Sequence, residues 1–256
     1  MPHLFYPSSP QHRYYAWFEA LHTRVDLLLF GDLDETGFER VEEEVLVCLN
    51  QVAEMGNRFD PQSELSQAVC SASQALGQPI PISAELFGLL ERCLLANSET
   101  DGLFDITVNS PRFEPGLIDA VELKKAIPRD KTTERGERGT AGGSLCLHRE
   151  GIIIDLSGVL KGYALERVRL LLSALGIRDA LVNLGNSSIL SIGSNPSDIP
   201  SGYVLTTSGN ATAERRHIRN PLTGAFIEGA CQISVTTVDA VEGEISSITT
   251  LLKTSL

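Results

Sequence analysis

Three polar stretches carry residue types that can hold a phosphate or move a proton. Asp155-Leu156-Ser157-Gly158-Val159-Leu160-Lys161-Gly162-Tyr163 follows the apolar run 151–154 and opens a helical pattern. Backbone N–H groups at a helix start lack partners within the helix, so with a lysine beside them they form a spot where a phosphate can dock. The same residues also read as a capped helix whose lysine is solvated. Asn183-Leu184-Gly185-Asn186 and Thr206-Thr207-Ser208-Gly209-Asn210 are polar turns at strand ends, and turn chemistry alone accounts for both. His217-Ile218-Arg219-Asn220-Pro221-Leu222-Thr223-Gly224 sets a histidine beside an Asn-Pro turn. Imidazole titrates near neutral pH and can serve as a general base, although a lone histidine is as readily structural. The chain has no Gly-x-x-x-x-Gly-Lys-Ser/Thr, no Gly-x-Gly-x-x-Gly after a strand and no Gly-x-Ser-x-Gly.

These loops need elements to hold them. Hydrophobic alternation predicts a strand over 23–30. A helix follows, with Phe38, Val41, Val45, Cys48, Val52 and Met55 at spacings of three and four and the acids Glu42 to Glu44 mostly on its other face. Residues 57–66, with Asp60-Pro61, read as a turn. Ser83 caps a helix to about Asn97, and 100–105 is a tight polar loop. Residues 117–127 read as a short helix, 128–143 as a charged, glycine-containing flexible insert, and 152–154 as a buried strand. The next helix carries Leu160, Ala164, Val168, Leu171 and Leu175 and stops at Gly176. Segments 180–184, 189–192, 203–206 and 233–238 then read as strands. The expected fold class is α+β, with mixed sheets and packed helices in one domain over 1–256, residues 1–19 being an N-terminal extension.

Composition narrows the partners. The 256 residues include 21 Lys plus Arg against 33 Asp plus Glu, a net charge of −12, which opposes binding to nucleic acid or an anionic lipid leaflet. At 42% hydrophobic and 21% charged the chain is of ordinary globular composition. No apolar run reaches the roughly 18 to 20 residues of a membrane helix. The first residues show neither an export leader nor a lipid-anchor cysteine, so the expected location is cytoplasmic. The five cysteines, without a Cys-x-x-Cys pair, read as core hydrophobes, and the five histidines form no zinc-like cluster.

Taken in order, these motifs resemble the FAD:protein FMN transferase (ApbE) family. Ala20-Leu21-His22-Thr23-Arg24 is similar to its Met-Gly-Thr opening, and Arg58-Phe59-Asp60-Pro61-Gln62-Ser63-Glu64-Leu65-Ser66 to its Tyr-x-x-x-Ser-Glu-Leu-Ser segment. Thr100-Asp101-Gly102-Leu103-Phe104-Asp105-Ile106-Thr107-Val108 resembles Thr-Asp-Gly-x-Phe-Asp-x-Thr-Val. The stretch from Asp155 to Ala164 resembles Asp-Leu-Gly/Ser-Gly-Ile-Ala-Lys-Gly-Tyr-Ala. Leu181-Val182-Asn183-Leu184-Gly185, Thr207-Ser208-Gly209 and the segment from His217 to Gly224 are similar to three further family motifs, with Asn220 standing where the family has Asp.

The resemblance implies an ApbE-like, T-fold-related architecture. It also implies an enzyme that uses Mg²⁺ to split FAD and attaches FMN to a Thr or Ser of an acceptor flavoprotein, releasing AMP. It implies flavin contacts at Leu21, Phe59, Leu103, Phe104, Asp105, Ser157, Lys161, Tyr163, Thr207, Ser208, Gly209 and Ile218, with His217 as the base for the acceptor hydroxyl. The metal ligands it implies are the Leu160 carbonyl with Glu244 and Ser247 at i and i+3; Glu242 with Ser246 at i and i+4 is the alternative pair. An FAD-binding relative without transfer, and an FAD pyrophosphatase, are the alternative activities.

Overall fold

The computed structural model describes residues 2–7, 11–126, 141–210 and 217–254. In chain order the elements are β1 (His3–Tyr6), β2 (His12–Ala20), β3 (Thr23–Gly31), α1 (Glu35–Gly56), α2 (Glu64–Gln74), β4 (Ile80–Ser83) and α3 (Ala84–Glu99). A 3-10 turn (Leu117–Ala120), β5 (Val121–Lys125), β6 (Ala141–Leu147), α4 (Leu160–Ala174) and β7 (Asp179–Leu184) follow. The rest comprises β8 (Ser188–Ile192), β9 (Val204–Asn210), β10 (Cys231–Thr237) and α5 (Ala240–Thr254). Helices and antiparallel sheets coexist, as the α+β expectation requires. No helix among the described residues is long and apolar enough to cross a membrane.

The chain divides into two units, each discontinuous in sequence. The first comprises Met1–Ala53, Ser157–Arg215 and Glu228–Leu256. It is built on a seven-stranded sheet in the order β1-β2-β3-β7-β8-β9-β10, with every described pairing antiparallel. Alternation decides which face is buried: Tyr14, Ala16, Phe18 and Ala20 of β2 and Val25, Leu27 and Leu29 of β3 all turn inward. Helix α4 lies on β8, and α5 on β9 and β10. Gly162 is where α4 and α5 touch, because a Cβ there would strike the Ala240 carbonyl and the Glu244 side chain.

The second unit comprises Glu54–Leu156 and Arg216–Ile227. Its three-stranded sheet runs β4-β6-β5, with α2 contacting β4 and β6 and α3 packing on β6. Ser83 caps α3 as expected, its hydroxyl accepting from Leu86 N–H at 3.1 Å, and Glu64 in turn accepts from Ser83 N–H and Oγ.

Several expectations are corrected. Strand β1 and all but the last residue of β2 fall within the expected N-terminal extension, 1–19, and belong to the large sheet. Segment 117–127 is helical only in the 3-10 turn Leu117–Ala120; over 121–125 Val121 faces inward and Leu123 pairs with Leu145, so this short run satisfies its backbone as a strand. The expected insert lies outside the described residues over 128–140, and 141–143 belong to β6. Residues 152–154 join no ladder; Ile153 N–H donates to Ser110 Oγ and Asp155 N–H to the Ile106 carbonyl. Residues 206–210 are not a turn but the second half of β9. In α4 the buried face carries Leu165 and Leu172, while Leu175 is exposed. Helix α2, hidden within and beyond the expected turn, starts at Ser63, whose hydroxyl accepts from Ser66 N–H. Glu42 is buried rather than solvated and accepts from Tyr14 Oη, and burial first, then this carboxylate, raises the Tyr14 pKa.

The β2–β3 hairpin turns on two residues, Leu21 and His22, with φ of 52° and 57°. Such a two-residue connection needs positive φ at both positions, which normally selects Asn-Gly. Replacing His22 by Gly relieves a left-handed backbone and raises stability by about 1 kcal/mol. The check is the midpoint of chemical denaturation, which should rise at an unchanged slope.

Candidate functional site

In the first unit the expected phosphate-holding stretch meets a carboxylate from its own chain. Helix α4 starts after Val159, which offers no side-chain cap, and the N–H of Gly162 in its first turn donates to Glu244. Ser188 Oγ donates to Glu244 Oε1 at 2.6 Å, and the Lys161 ammonium adds its charge. Burial is the largest influence and raises the Glu244 pKa; Lys161, Ser188 and Gly162 oppose it. Lys161 Nζ in turn donates to Ser187 Oγ.

One turn along α5, Ser247 Oγ lies 2.7 Å from Ser208 Oγ and donates to the Glu244 carbonyl. Thr206 Oγ1, which faces Gly243, is buried without a hydrogen-bond partner. These donors are all oxygen, the chemistry a hard dication such as Mg²⁺ takes, and a carboxylate with two hydrogen-bond donors keeps lone pairs for a metal. The oxygens of Glu244 and Ser247 therefore suit such an ion in kind. The alternative pair lies elsewhere: Glu242 is exposed on α5 and accepts from Ser246 Oγ at 2.9 Å. Ile248, at i+4 from Glu244, supplies no oxygen.

Other expected contacts of this unit lie on β9, in and just before α4 and in the β2–β3 turn. Thr207 N–H donates to the Ser187 carbonyl at 2.7 Å and so is not open to a phosphate. Ser208, Gly209 and Asn210 pair with β10 alone. A Cβ at Gly209 would strike the Cys231 carbonyl, which is why this strand position is glycine. Ser157 is exposed, and Tyr163 and Leu21 are half-buried.

The second unit holds its own cluster. Asp155 is buried; Arg58 Nε lies 2.7 Å from its Oδ2, and Asn109 Nδ2 donates to the same oxygen at 2.7 Å. The Arg58 guanidinium also sits over the Phe59 ring, 3.9 Å from its centroid. The Leu103-Phe104-Asp105 loop closes the C-terminus of α3: Thr100 Oγ1 accepts from Phe104 N–H, and Asn97 Nδ2 donates to the Phe104 carbonyl. Leu103 and Phe104 are buried, so their side chains serve the core. Asp105 Oδ1 accepts from both the N–H and the hydroxyl of Thr107, each at 2.6 Å.

His217 is exposed at the start of a small hairpin closed by an Arg219–Phe226 bridge. Arg219 fastens that hairpin, with Nε donating to the Gly224 carbonyl and one terminal nitrogen to the Val108 carbonyl, both at 2.8 Å. Asn220 Oδ1 accepts from the N–H groups of Leu222 and Thr223, a turn an amide oxygen makes as well as a carboxylate would. Ile218 is half-buried, and its carbonyl accepts from Ile227 N–H.

Ser187, Ser188, Arg58, Asn109 and Arg219 were not singled out by sequence reasoning; their partners lie far along the chain. The cysteines are free; Cys48, Cys93 and Cys146 are buried, burial pushing the Cys93 thiol up to about 12, whereas Cys70 is exposed and Cys231 half-buried, so the core expectation is corrected for those two. No group of three or more His, Cys, Asp or Glu side chains forms a metal cluster among the described residues.

A family model described as the ApbE family matches residues 21–254. An FAD:protein FMN transferase of Treponema pallidum is 27% identical over 188 residues, which cover 68% of this chain and 50% of that protein. One from Haemophilus influenzae is 25% identical over 159 residues, covering 57% and 45%. The chain thus spans about half the length of the curated relatives it matches. Among solved structures, a flavin transferase ApbE from Vibrio cholerae aligns with a TM-score of 0.71 at 18% identity, covering 95% of this chain and 87% of that one. An ApbE protein from Thermotoga maritima gives 0.73 at 19% identity with the same coverage, and at such identity the likeness speaks for the fold.

Burial raises the Asp105 pKa, and the two Thr107 donors oppose it. A carboxyl raised in the folded state contributes most when protonated, and that contribution is lost as pH climbs from the unfolded value of 3.8 through the folded one. An asparagine keeps the acceptor without the charge. Asp105→Asn therefore melts higher than the parent near neutral pH, and the gap closes as pH falls toward 3.8; melting curves at several pH values check it.

Proposed function

The chain belongs to the ApbE family, and on that premise we propose that it transfers FMN from FAD to a Thr or Ser hydroxyl of an acceptor flavoprotein, with AMP as the leaving group. The observation that carries this reading is a lysine cation, Lys161, fixed by Ser187 at the first turn of α4 in a chain of net charge −12. It is a local positive point suited to a pyrophosphate on an otherwise acidic protein.

In this reading Lys161 bonds to pyrophosphate oxygens, and exposed Ser157 adds a hydroxyl. Phe59, Leu21, Tyr163 and Ile218 offer surface to the flavin, while the Leu103 to Asp105 loop contributes backbone. Exposed His217 takes the proton of the acceptor hydroxyl, whose oxygen forms a bond to the FMN phosphorus as the bond from that phosphorus to the AMP oxygen breaks. Arg219 keeps the His217 hairpin against Val108, so the base is carried on an ordered loop. Glu244, Ser247 and the Leu160 carbonyl would hold Mg²⁺, which when bound offsets negative charge on the departing phosphate.

Incubation with FAD, Mg²⁺ and candidate flavoproteins, followed by mass spectrometry, tests the reading. The expected result is an acceptor heavier by one FMN and one AMP released per adduct; no adduct on any acceptor overturns it. His217→Ala should keep FAD affinity and slow transfer by about 10²- to 10⁴-fold. Glu244→Gln should move the Mg²⁺ titration to higher concentration, and an unchanged curve removes Glu244 from the ligand set. Ile248 favours a second reading, an FAD-binding relative without transfer; protein that retains FAD yet releases no AMP on adding Mg²⁺ would support that one.

A further inference from the structure

A lone exposed phenylalanine carries no message on a protein surface. Phe59 is 66% exposed, but its setting is built. The turn beneath it is stiffened by Phe59 N–H to Asn57 Oδ1 at 3.0 Å, Asp60 N–H to the Asn57 carbonyl at 3.1 Å and Gln62 N–H to Asp60 Oδ1 at 2.9 Å. One side of the ring rests on the Arg58 guanidinium, 3.9 Å from the centroid. That guanidinium is ion-paired with Asp155, its Nε 2.7 Å from Oδ2 without a directed hydrogen bond; Asn109 also holds this buried carboxylate, whose own N–H is fixed to the Ile106 carbonyl.

The chain of contacts runs inward from an exposed ring to a buried acid, each link short. A guanidinium suits this place because its plane can stack on a ring while its edge pairs with a carboxylate, which an ammonium does not do. Nothing in the fold of the turn needs the ring itself, since its hydrogen bonds are made by backbone, Asn57 and Asp60. What the arrangement achieves is a ring already ordered before anything meets it, which lowers the entropy cost of stacking a flat ligand on the open side.

We propose that Arg58 is a positioning residue: tethered by Asp155, it holds the Phe59 ring as a fixed platform on which the isoalloxazine of the flavin substrate stacks. This rests on the flavin-transfer reading above. Phe59 makes the contact, and Arg58 acts through it.

FMN serves as the probe, followed by quenching of its fluorescence and by visible circular dichroism, with melting curves for every variant. Phe59→Leu, which leaves the Arg58–Asp155 pair intact, should bind FMN more weakly and leave the bound flavin brighter. Arg58→Ala should raise the dissociation constant by about three- to tenfold and also brighten the bound flavin. Arg58→Lys keeps a cation for Asp155, so it provides a folded variant even where Arg58→Ala does not fold; it should restore the melting temperature but not the quenching. If both Arg58 variants bind and quench as the parent does while Phe59→Leu does not, the positioning role is overturned and the platform stands. If Phe59→Leu matches the parent, the ring does not meet the flavin and the proposal fails. A parent protein that binds no FMN overturns the platform, while the flavin-transfer reading is decided separately by the FMN adduct on an acceptor.

Discussion

Burying the Glu244 carboxylate is the constraint around which the first unit is arranged. A lone charge in an apolar interior is too costly to keep, so the surrounding chain has to supply donors. Three come from two segments: the Ser188 hydroxyl at the start of β8, and the Gly162 N–H and the charge of Lys161 in the first turn of α4. For α5 to bring Glu244 that close, α4 must lack a side chain at residue 162, and glycine meets that need. The helix start that looked open to an external anion thus already faces an internal one, and Lys161 answers to both.

The second unit solves the same problem with different means. Asp155 is buried between Arg58 and Asn109, so its charge is balanced by a cation whose flat face is left for Phe59. Asp105, a few residues before Asn109, is satisfied locally by Thr107 and needs no distant partner. The difference matters for function. A locally satisfied carboxylate shapes its own loop, whereas one satisfied across 97 positions ties two loops to each other (155 − 58 = 97).

Much of the architecture was legible because hydrophobic period carries it: β3, α1, α3, α4 and the strands β7, β8 and β10 follow from alternation or from a three-to-four spacing. The misses share a cause. Strands β1 and β2 lie at one edge of the sheet and begin among polar and aromatic residues, and their hairpin turns on Leu-His rather than a glycine pair. Segment 121–125 is too short for periodicity to separate strand from helix. At the candidate site the motif residues were readable one by one. Their partners were not, since Ser188 stands 56 positions from Glu244 and Asn109 46 from Asp155. Glu42 was misread because amphipathic patterning treats every acid as solvated, while Tyr14 gives this one a buried partner.

The order of strands has a consequence for how the chain is made. In the large sheet β3 is flanked by β2 and β7, and Asp26 pairs with Asn183, 157 residues later. A chain emerging from the ribosome can close the β1–β2–β3 meander early, but the other edge of β3 stays unsatisfied until β7 has been synthesised. Residues 54–156, most of the second unit, are complete before that moment. The nascent protein therefore carries an apolar, unpaired strand edge while its middle matures, the kind of surface that recruits chaperones or seeds aggregation. Long-range pairing of this sort also slows folding.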